Sequence, residues 1–169
     1  MNIVYIDVQN SHKATQKLWR LIDWDKFYIY LKDKCKADIV YYAVWHRHEF
    51  QNQYDKLTNI WYAMLYKETT LLPNGELKWN VDIDIAIRAI FDICKEWLSK
   101  AYLVTNDGDY NTLIEVFQDY WVWWKLITPD INTASKLLKR ITRPIDIDDI
   151  KNRIQKIPLE SEIIVNIAL

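Results

Sequence analysis

Apolar residues follow two rhythms along this chain. Short continuous runs at residues 3–6, 39–44, 102–105 and 121–127 have the length of strands buried on both faces. Between them, apolar positions recur at helical spacing: Trp24, Phe27, Tyr28 and Leu31; then Phe50, Tyr54, Leu57, Ile60, Trp61, Met64 and Leu65. Ile87, Ile90, Phe91, Cys94 and Leu98 repeat the pattern, as do Leu113, Ile114, Val116 and Phe117. These periods predict helices over 24–35 (capped by Asp23), 49–66, 80–98 and 109–120, each turning the named residues inward. Residues 69–72 and 76–79 flank Pro73-Asn74-Gly75, whose Asn-Gly step suits a tight hairpin turn. Further helices are expected over 133–140 and, after Pro144, over 146–157, with an apolar strand or tail at 162–169. The alternation predicts an α/β fold of three layers, a mainly parallel central sheet flanked by helices.

Composition narrows the class. A chain of 169 residues, half of them hydrophobic, is large enough for one domain with a real core. Only two glycines and four prolines argue against low complexity, and scarce glycine leaves Asn and Asp to serve at turns. The net charge of −1 excludes a polycation, so contact with nucleic acid has to come from local patches. Cys35 and Cys94 are isolated and read as two buried free thiols in a reducing compartment. The first apolar run is too short for a signal peptide and no run reaches membrane-spanning length, so the expected setting is cytoplasmic, with no membrane partner.

The candidate chemistry lies where strands end. The strand at 102–105 stops at Thr105-Asn106-Asp107-Gly108-Asp109, an acidic turn that opens a helix. Asp7 ends the first strand, and Asp82 and Asp84 open the helix that feeds the 102–105 strand. In a doubly wound sheet the strand order reverses beside the first strand, and the crevice there is the usual ligand site. Any one of these Asp residues is equally well explained as a helix cap. Recurrence of acid at three such places points instead to a shared crevice, where carboxylates repel unless a cation neutralises them. Hard, sparse oxygen ligands suit Mg²⁺ or Mn²⁺, ions that activate water and stabilise in-line displacement at phosphorus.

Three stretches carry a family resemblance: Ile6-Asp7-x-x-Asn10, Lys78-x-Asn80-Val81-Asp82-Ile83-Asp84, and Leu103-Val104-Thr105-Asn106-Asp107-Gly108-Asp109-Tyr110. In this order the chain resembles the NYN branch of the PIN-like metal-dependent ribonucleases over roughly residues 2–141. The resemblance implies a Rossmann-like PIN fold and divalent-cation-dependent cleavage of RNA phosphodiesters. It implies metal ligation by Asp7, Asp82, Asp84, Asp107 and Asp109, and catalytic roles for Asp7, Asp82, Asp107, Asp109 and the polar Asn10. Residues 1–143 would then form the nuclease domain and residues 144–169 a C-terminal helical extension packed on or next to it.

The chain departs from the family pattern at three points. Thr105-Asn106 replaces the usual Ser-Gly, Trp121 stands where a Gly commonly ends the helix, and Arg88 occupies a position that often holds another Asp. Arg88 lies four residues after Asp84 and would either weaken metal affinity from the ligand-bearing face or pair with Asp84. That cation and the Trp-rich strand at 121–127 motivate the alternative reading, a catalytically weakened RNA-binding or protein-interaction module on the same fold. A phosphate-accepting receiver domain is disfavoured, since no strand-end Asp and Lys pair is evident.

Cationic residues near the site are Lys13, Lys17 and Arg20 beyond Asp7, and Lys136, Lys139 and Arg140 on the helix near 133. They are candidates for the RNA backbone, set against an ordinary solvated surface. His46 and His48 leave the second strand at the same rim and read as solvent-facing. The tryptophans of strand 121–127 read as core packing, with a homodimer contact as the partner surface they would offer.

Overall fold

The computed structural model describes residues 1–8, 21–67, 70–71, 77–78 and 81–156. Six strands make one parallel sheet: β1 (Asn2–Asp7), β2 (Ile39–Trp45), β3 (Ala63–Lys67), β6 (Lys100–Val104), β7 (Trp123–Thr128) and β8 (Ile145–Asp146). A separate two-stranded hairpin, β4 (Thr70–Leu71) with β5 (Leu77–Lys78), lies in the chain between β3 and the next helix. The helices are α1 (Trp24–Tyr30, widening into a π-helical turn at Leu31–Cys35), α2 (Gln51–Asn59), α3 (Asp82–Cys94), α4 (Asn111–Asp119), α5 (Lys136–Ile141) and α6 (Ile147–Ile154).

Sheet order is β3-β2-β1-β6-β7-β8, so the chain runs outward from β1 to one edge and then returns to β1's other side. Alternation of side chains along each strand sends residues to two separate cores. Val4, Ile6, Val40, Tyr42 and Val44 meet α1, α2 and α6 through Phe27, Leu31, Tyr54, Leu57 and Ile154. Ile3, Tyr5, Ala43, Ala101 and Leu103 meet α3, α4 and α5 through Ile85, Ala89, Ile114, Phe117 and Leu138. Each fully buried aliphatic or aromatic side chain of this kind contributes about 1.5–3 kcal/mol. The expected three-layer α/β architecture is therefore present. Asp23 caps α1 as expected, accepting the Lys26 N–H at 3.2 Å.

Four expectations need correction. The helix expected over 49–66 ends at Asn59, and the chain re-enters the sheet as β3. Met64 and Leu65 face apolar cores from a strand, yet their spacing from Ile60 and Trp61 mimics a continuing helix. Second, α3 turns Ile85 and Ala89 inward and leaves Ile87, Ile90 and Phe91 exposed. Its more hydrophobic-looking stripe is the outer one. Third, Cys94 is exposed while Cys35 is buried, where desolvation pushes the Cys35 thiol up to about 12. Fourth, Trp121 lies before β7 and is 93% exposed, and Trp123 is half exposed. Only the later residues of β7, Leu126, Ile127 and Thr128, are fully buried, between β6 and β8.

Glycine scarcity explains the helix ends that the sequence hid. Trp61, Glu96 and Trp121 have φ of 82°, 56° and 56°, the left-handed conformation that usually selects Gly after a helix. At α2, Tyr62 N–H donates to Leu57 O (3.1 Å) and Trp61 N–H to Thr58 O (2.9 Å). At α4, Val122 N–H donates to Phe117 O (2.8 Å) and Trp121 N–H to Gln118 O (3.1 Å). These paired bonds are Schellman closures made without glycine.

Candidate metal centre

Residues two apart on a strand share a face, so Asp7 follows Ile3 and Tyr5 to the α3 side of the sheet. Ile6 pairs with Val104, the last residue of β6, which sets the following residue, Thr105, beside Asp7. Thr105 Oγ1 donates to Asp7 Oδ2 at 3.2 Å and accepts the Asp107 N–H at 3.1 Å. One buried hydroxyl thus links the end of β1 to the acidic turn after β6. Asp107 Oδ1 in turn accepts the Asp109 N–H at 3.0 Å, capping the short 3₁₀ turn Gly108–Tyr110.

The turn is held from the far side by the segment before α5. Ser135 N–H donates to Asn106 O (3.0 Å), and Asn106 Nδ2 donates to Thr133 Oγ1 (2.9 Å). A β-carbon on Gly108 would stand 2.5 Å from Ser135 Oγ, so a larger residue there would displace the hydroxyl that caps α5 through the Leu137 N–H. The third contribution comes from α3, whose first turn carries Asp82 and Asp84, where negative charge is favoured by the helix dipole. Tyr110, buried after the turn, donates its hydroxyl to Asp82 Oδ1 at 3.0 Å. Burial raises the Tyr110 pKa well above its ordinary value, and the carboxylates of Asp7, Asp82 and Asp107 add to the effect. Tyr110 therefore stays a protonated donor at every physiological pH.

Together these elements gather Asp82, Asp107 and Asp109, with one carboxylate oxygen from each lying within 4.8 Å of the other two. Two of the three side chains are partly buried and the third is exposed. Three like charges so close favour a bound cation, and their hard oxygens match the ligand preference of Mg²⁺ or Mn²⁺. Asp7 lies at the floor of the same crevice, 3% exposed and tied to it through Thr105. It stands beside that close trio and is not a member of it.

The other named residues fall as follows. Asp84 turns to Lys67 on β3, with Nζ to Oδ2 at 2.8 Å. An Arg88–Asp84 pair is absent: Arg88 instead holds Asp92, with Nη2 to Oδ1 at 2.7 Å and Nε to Oδ2 at 3.3 Å. Asp92 is completely buried and also accepts the Tyr5 hydroxyl at 2.8 Å. That buried acceptor, one turn further along α3, captures the guanidinium more firmly than Asp84 at the helix's exposed start. His46 and His48 rings lie 4.9 Å apart at the end of β2, with His46 5.1 Å from Tyr66. Lys136, Lys139 and Arg140 are exposed on α5, whose start is bonded to the acidic turn. Asn10, Lys13, Lys17 and Arg20 lie outside the described residues, as do the hairpin turn at 73–75 and the tail at 162–169.

Thr105, Tyr110 and Lys67 were not foreseen as parts of this crevice. A threonine ending a buried strand and a tyrosine just after an acidic turn are polar groups with few places to bond except that turn. Lys67, which reaches Asp84 at the crevice's edge, stood just past the misread helix, where no strand was expected.

A parallel sheet with helices on both faces and carboxylates clustered where its strand order reverses defines a PIN-like α/β domain with a candidate metal-dependent hydrolase centre. The NYN domain family model matches residues 2–148, and the chain belongs to that family. Comparison with curated proteins finds no match. Among solved structures, the chain is similar to the crystal structure of a protein of unknown function, VPA0982 from Vibrio parahaemolyticus RIMD 2210633. The TM-score is 0.72 at 20% identity, covering 87% of this chain and 92% of that one, a likeness of fold alone. Among the described residues, no helix is long and apolar enough to cross a membrane.

Proposed function

We propose that this protein is a metal-dependent endoribonuclease that hydrolyses RNA phosphodiester bonds in the crevice between β1, β6 and α3. The observation that carries the reading is the close approach of Asp82, Asp107 and Asp109 in a chain that belongs to the NYN domain family. Asp82, Asp107 and Asp109 would hold Mg²⁺ or Mn²⁺, with Asp7 supplying further negative charge from the floor. When bound, such an ion activates water and offsets charge at phosphorus. Tyr110 keeps one Asp82 oxygen oriented, and the Thr105 hydroxyl fixes the separation between Asp7 and the turn. Asn10 would orient the phosphate or a ligand. Lys13, Lys17 and Arg20, with Lys136, Lys139 and Arg140, would contact the RNA backbone, sequence-blind and salt-sensitive.

The non-catalytic alternative rests on Arg88 weakening the metal site and on the Trp-rich strand, whose Trp121 and Trp123 remain exposed as a surface for a partner. The first ground is reduced because Arg88 is engaged by Asp92 and stacks 4.8 Å over Tyr41. The test is incubation of end-labelled single-stranded and hairpin RNAs with purified protein. Cleavage that needs Mn²⁺ or Mg²⁺, stops with chelator and is lost in Asp107→Asn supports the nuclease. Chelator-insensitive, salt-sensitive RNA binding without cleavage supports the binding module instead.

A further inference from the structure

β8 pairs with β7 only at Ile127 and Thr128, so among the described residues Trp123, Trp124 and Lys125 lie along an outer edge of the sheet. Strand alternation puts Trp123 and Lys125 on one face with Ile127. Trp123 is half exposed, edge-on to Tyr102 (ring centroids 5.5 Å apart), with the Lys100 ammonium 5.6 Å over its ring. Tyr120 and Trp121, in the turn before the strand, are 63 and 93% exposed. A single exposed ring is ordinary, but three within four residues beside a cation form a patch.

Cations run from this patch to the acidic crevice. Lys125 Nζ donates to Arg143 O at 3.1 Å, joining the edge of the sheet to the segment that follows α5. Lys136, Lys139 and Arg140 share one exposed face of α5, away from buried Leu138. Just before α5, the Ser135 N–H is bonded to Asn106 of the acidic turn. From that turn back to Lys100 the track covers roughly 16 Å, five residues of β6 at about 3.3 Å each. Among the described residues, none of these six cations is in an ion pair. Glu96 and Asp119, the carboxylates in the turns flanking the aromatics, leave them unpaired as well.

Unneutralised cations select a polyanion, and exposed indoles select one with free ring faces. A duplex meets only the first requirement, since its bases are already stacked on one another. A two-fold contact with a second copy through this patch would set the cations against their own equivalents. We propose that Trp121 and Trp123 form a base-stacking platform for single-stranded RNA, with Lys100, Lys125 and Arg143 on its phosphates, and that the strand continues along α5 to the acidic crevice. The substrate class is then unpaired RNA long enough to reach both places, which rests on the RNA reading above but is measured without cleavage.

Fluorescence anisotropy of end-labelled RNA, recorded in chelator so that no cleavage intervenes, tests this. Trp121→Ala and Trp123→Ala should each raise the Kd for single-stranded RNA roughly ten-fold and leave binding of a blunt duplex unchanged. Trp121 is almost wholly exposed, so its variant stays informative even where Trp123→Ala unfolds the chain. Arg143→Ala should lower the slope of log affinity against log salt by about 0.7. Single-stranded RNA that is bound, released by these changes and never cut with Mn²⁺ supports the platform and removes the nuclease reading. Affinity and cleavage both unchanged in Trp121→Ala and in folded Trp123→Ala overturn the platform and leave the nuclease standing. A wild type that does not bind single-stranded RNA in chelator also overturns it. So does loss of self-association in these variants with RNA affinity unaltered, which would make the patch a contact between copies.

Discussion

Helix α3 places two groups of acid in contrasting surroundings. At its start, Asp82 joins Asp107 and Asp109 in a partly open crevice where three carboxylates crowd one another. Near its end, Asp92 is wholly buried, yet it has Arg88 in two-point contact and the Tyr5 hydroxyl beside it. Burial alone would rank Asp92 as the more unusual residue. Compensation reverses the ranking: the buried acid is neutralised by its own neighbours, whereas the crowded ones carry like charge toward solvent. The first arrangement builds a fold, and the second suits a ligand.

The largest expected effect breaks the crowded group. Asp107→Asn keeps the oxygen that caps the turn but removes one charge, so RNA cleavage should fall roughly 1,000-fold or more in single-turnover assays. Thermal stability should hold steady or rise slightly, because like-charge repulsion is relieved. A folded variant with unchanged cleavage would separate the trio from the chemistry.

The buried group should respond in the opposite sense. Arg88→Met leaves the Asp92 carboxylate without its cation and should cost about 3–5 kcal/mol in urea denaturation, with little direct effect on metal binding. The double change Arg88→Met with Asp92→Leu should recover most of that loss, since replacing both partners of a buried pair is often nearly neutral. If Arg88→Met proves harmless, the pair does not stabilise the fold as its geometry implies.

A smaller effect tests the link between the groups' surroundings. Tyr110→Phe removes the donor to Asp82 and should weaken Mn²⁺ affinity about ten-fold, as measured by calorimetry. Smallest is Asp84→Asn. Its partner Lys67 is 36% exposed, so stability should shift by less than about 0.5 kcal/mol in thermal melts. An effect on metal affinity as large as that of Tyr110→Phe would make Asp84 a ligand after all.

One side of this contrast, the crowded crevice, was legible in the sequence; the buried Asp92 was not. Alternation of short apolar runs with helical periods implied the parallel sheet, and the reversal of strand order then required Asp7 and the turn at 107–109 to share a crevice. What stayed hidden had physical causes. β3 was masked because Trp61 takes a left-handed conformation without glycine, leaving no visible stop after α2. The inner face of α3 was misassigned because its outer residues are the larger hydrophobes, and periodicity identifies a stripe without saying what covers it. Asp92 was overlooked as the partner of Arg88 because both Asp84 and Asp92 lie four residues away; only burial chooses between them. Tyr110 and Thr105 were missed since single polar side chains carry no spacing signal.

The most direct measurement is a Mn²⁺ titration of the wild type and of Asp107→Asn, by calorimetry or by the loss of the free-ion paramagnetic resonance signal, followed by RNA cleavage on the same samples. The expected result is saturable binding to the wild type that is lost in the variant, with cleavage disappearing alongside it. Binding that is absent from the folded wild type, or that persists undiminished in Asp107→Asn, would contradict a divalent-ion centre built on Asp82, Asp107 and Asp109.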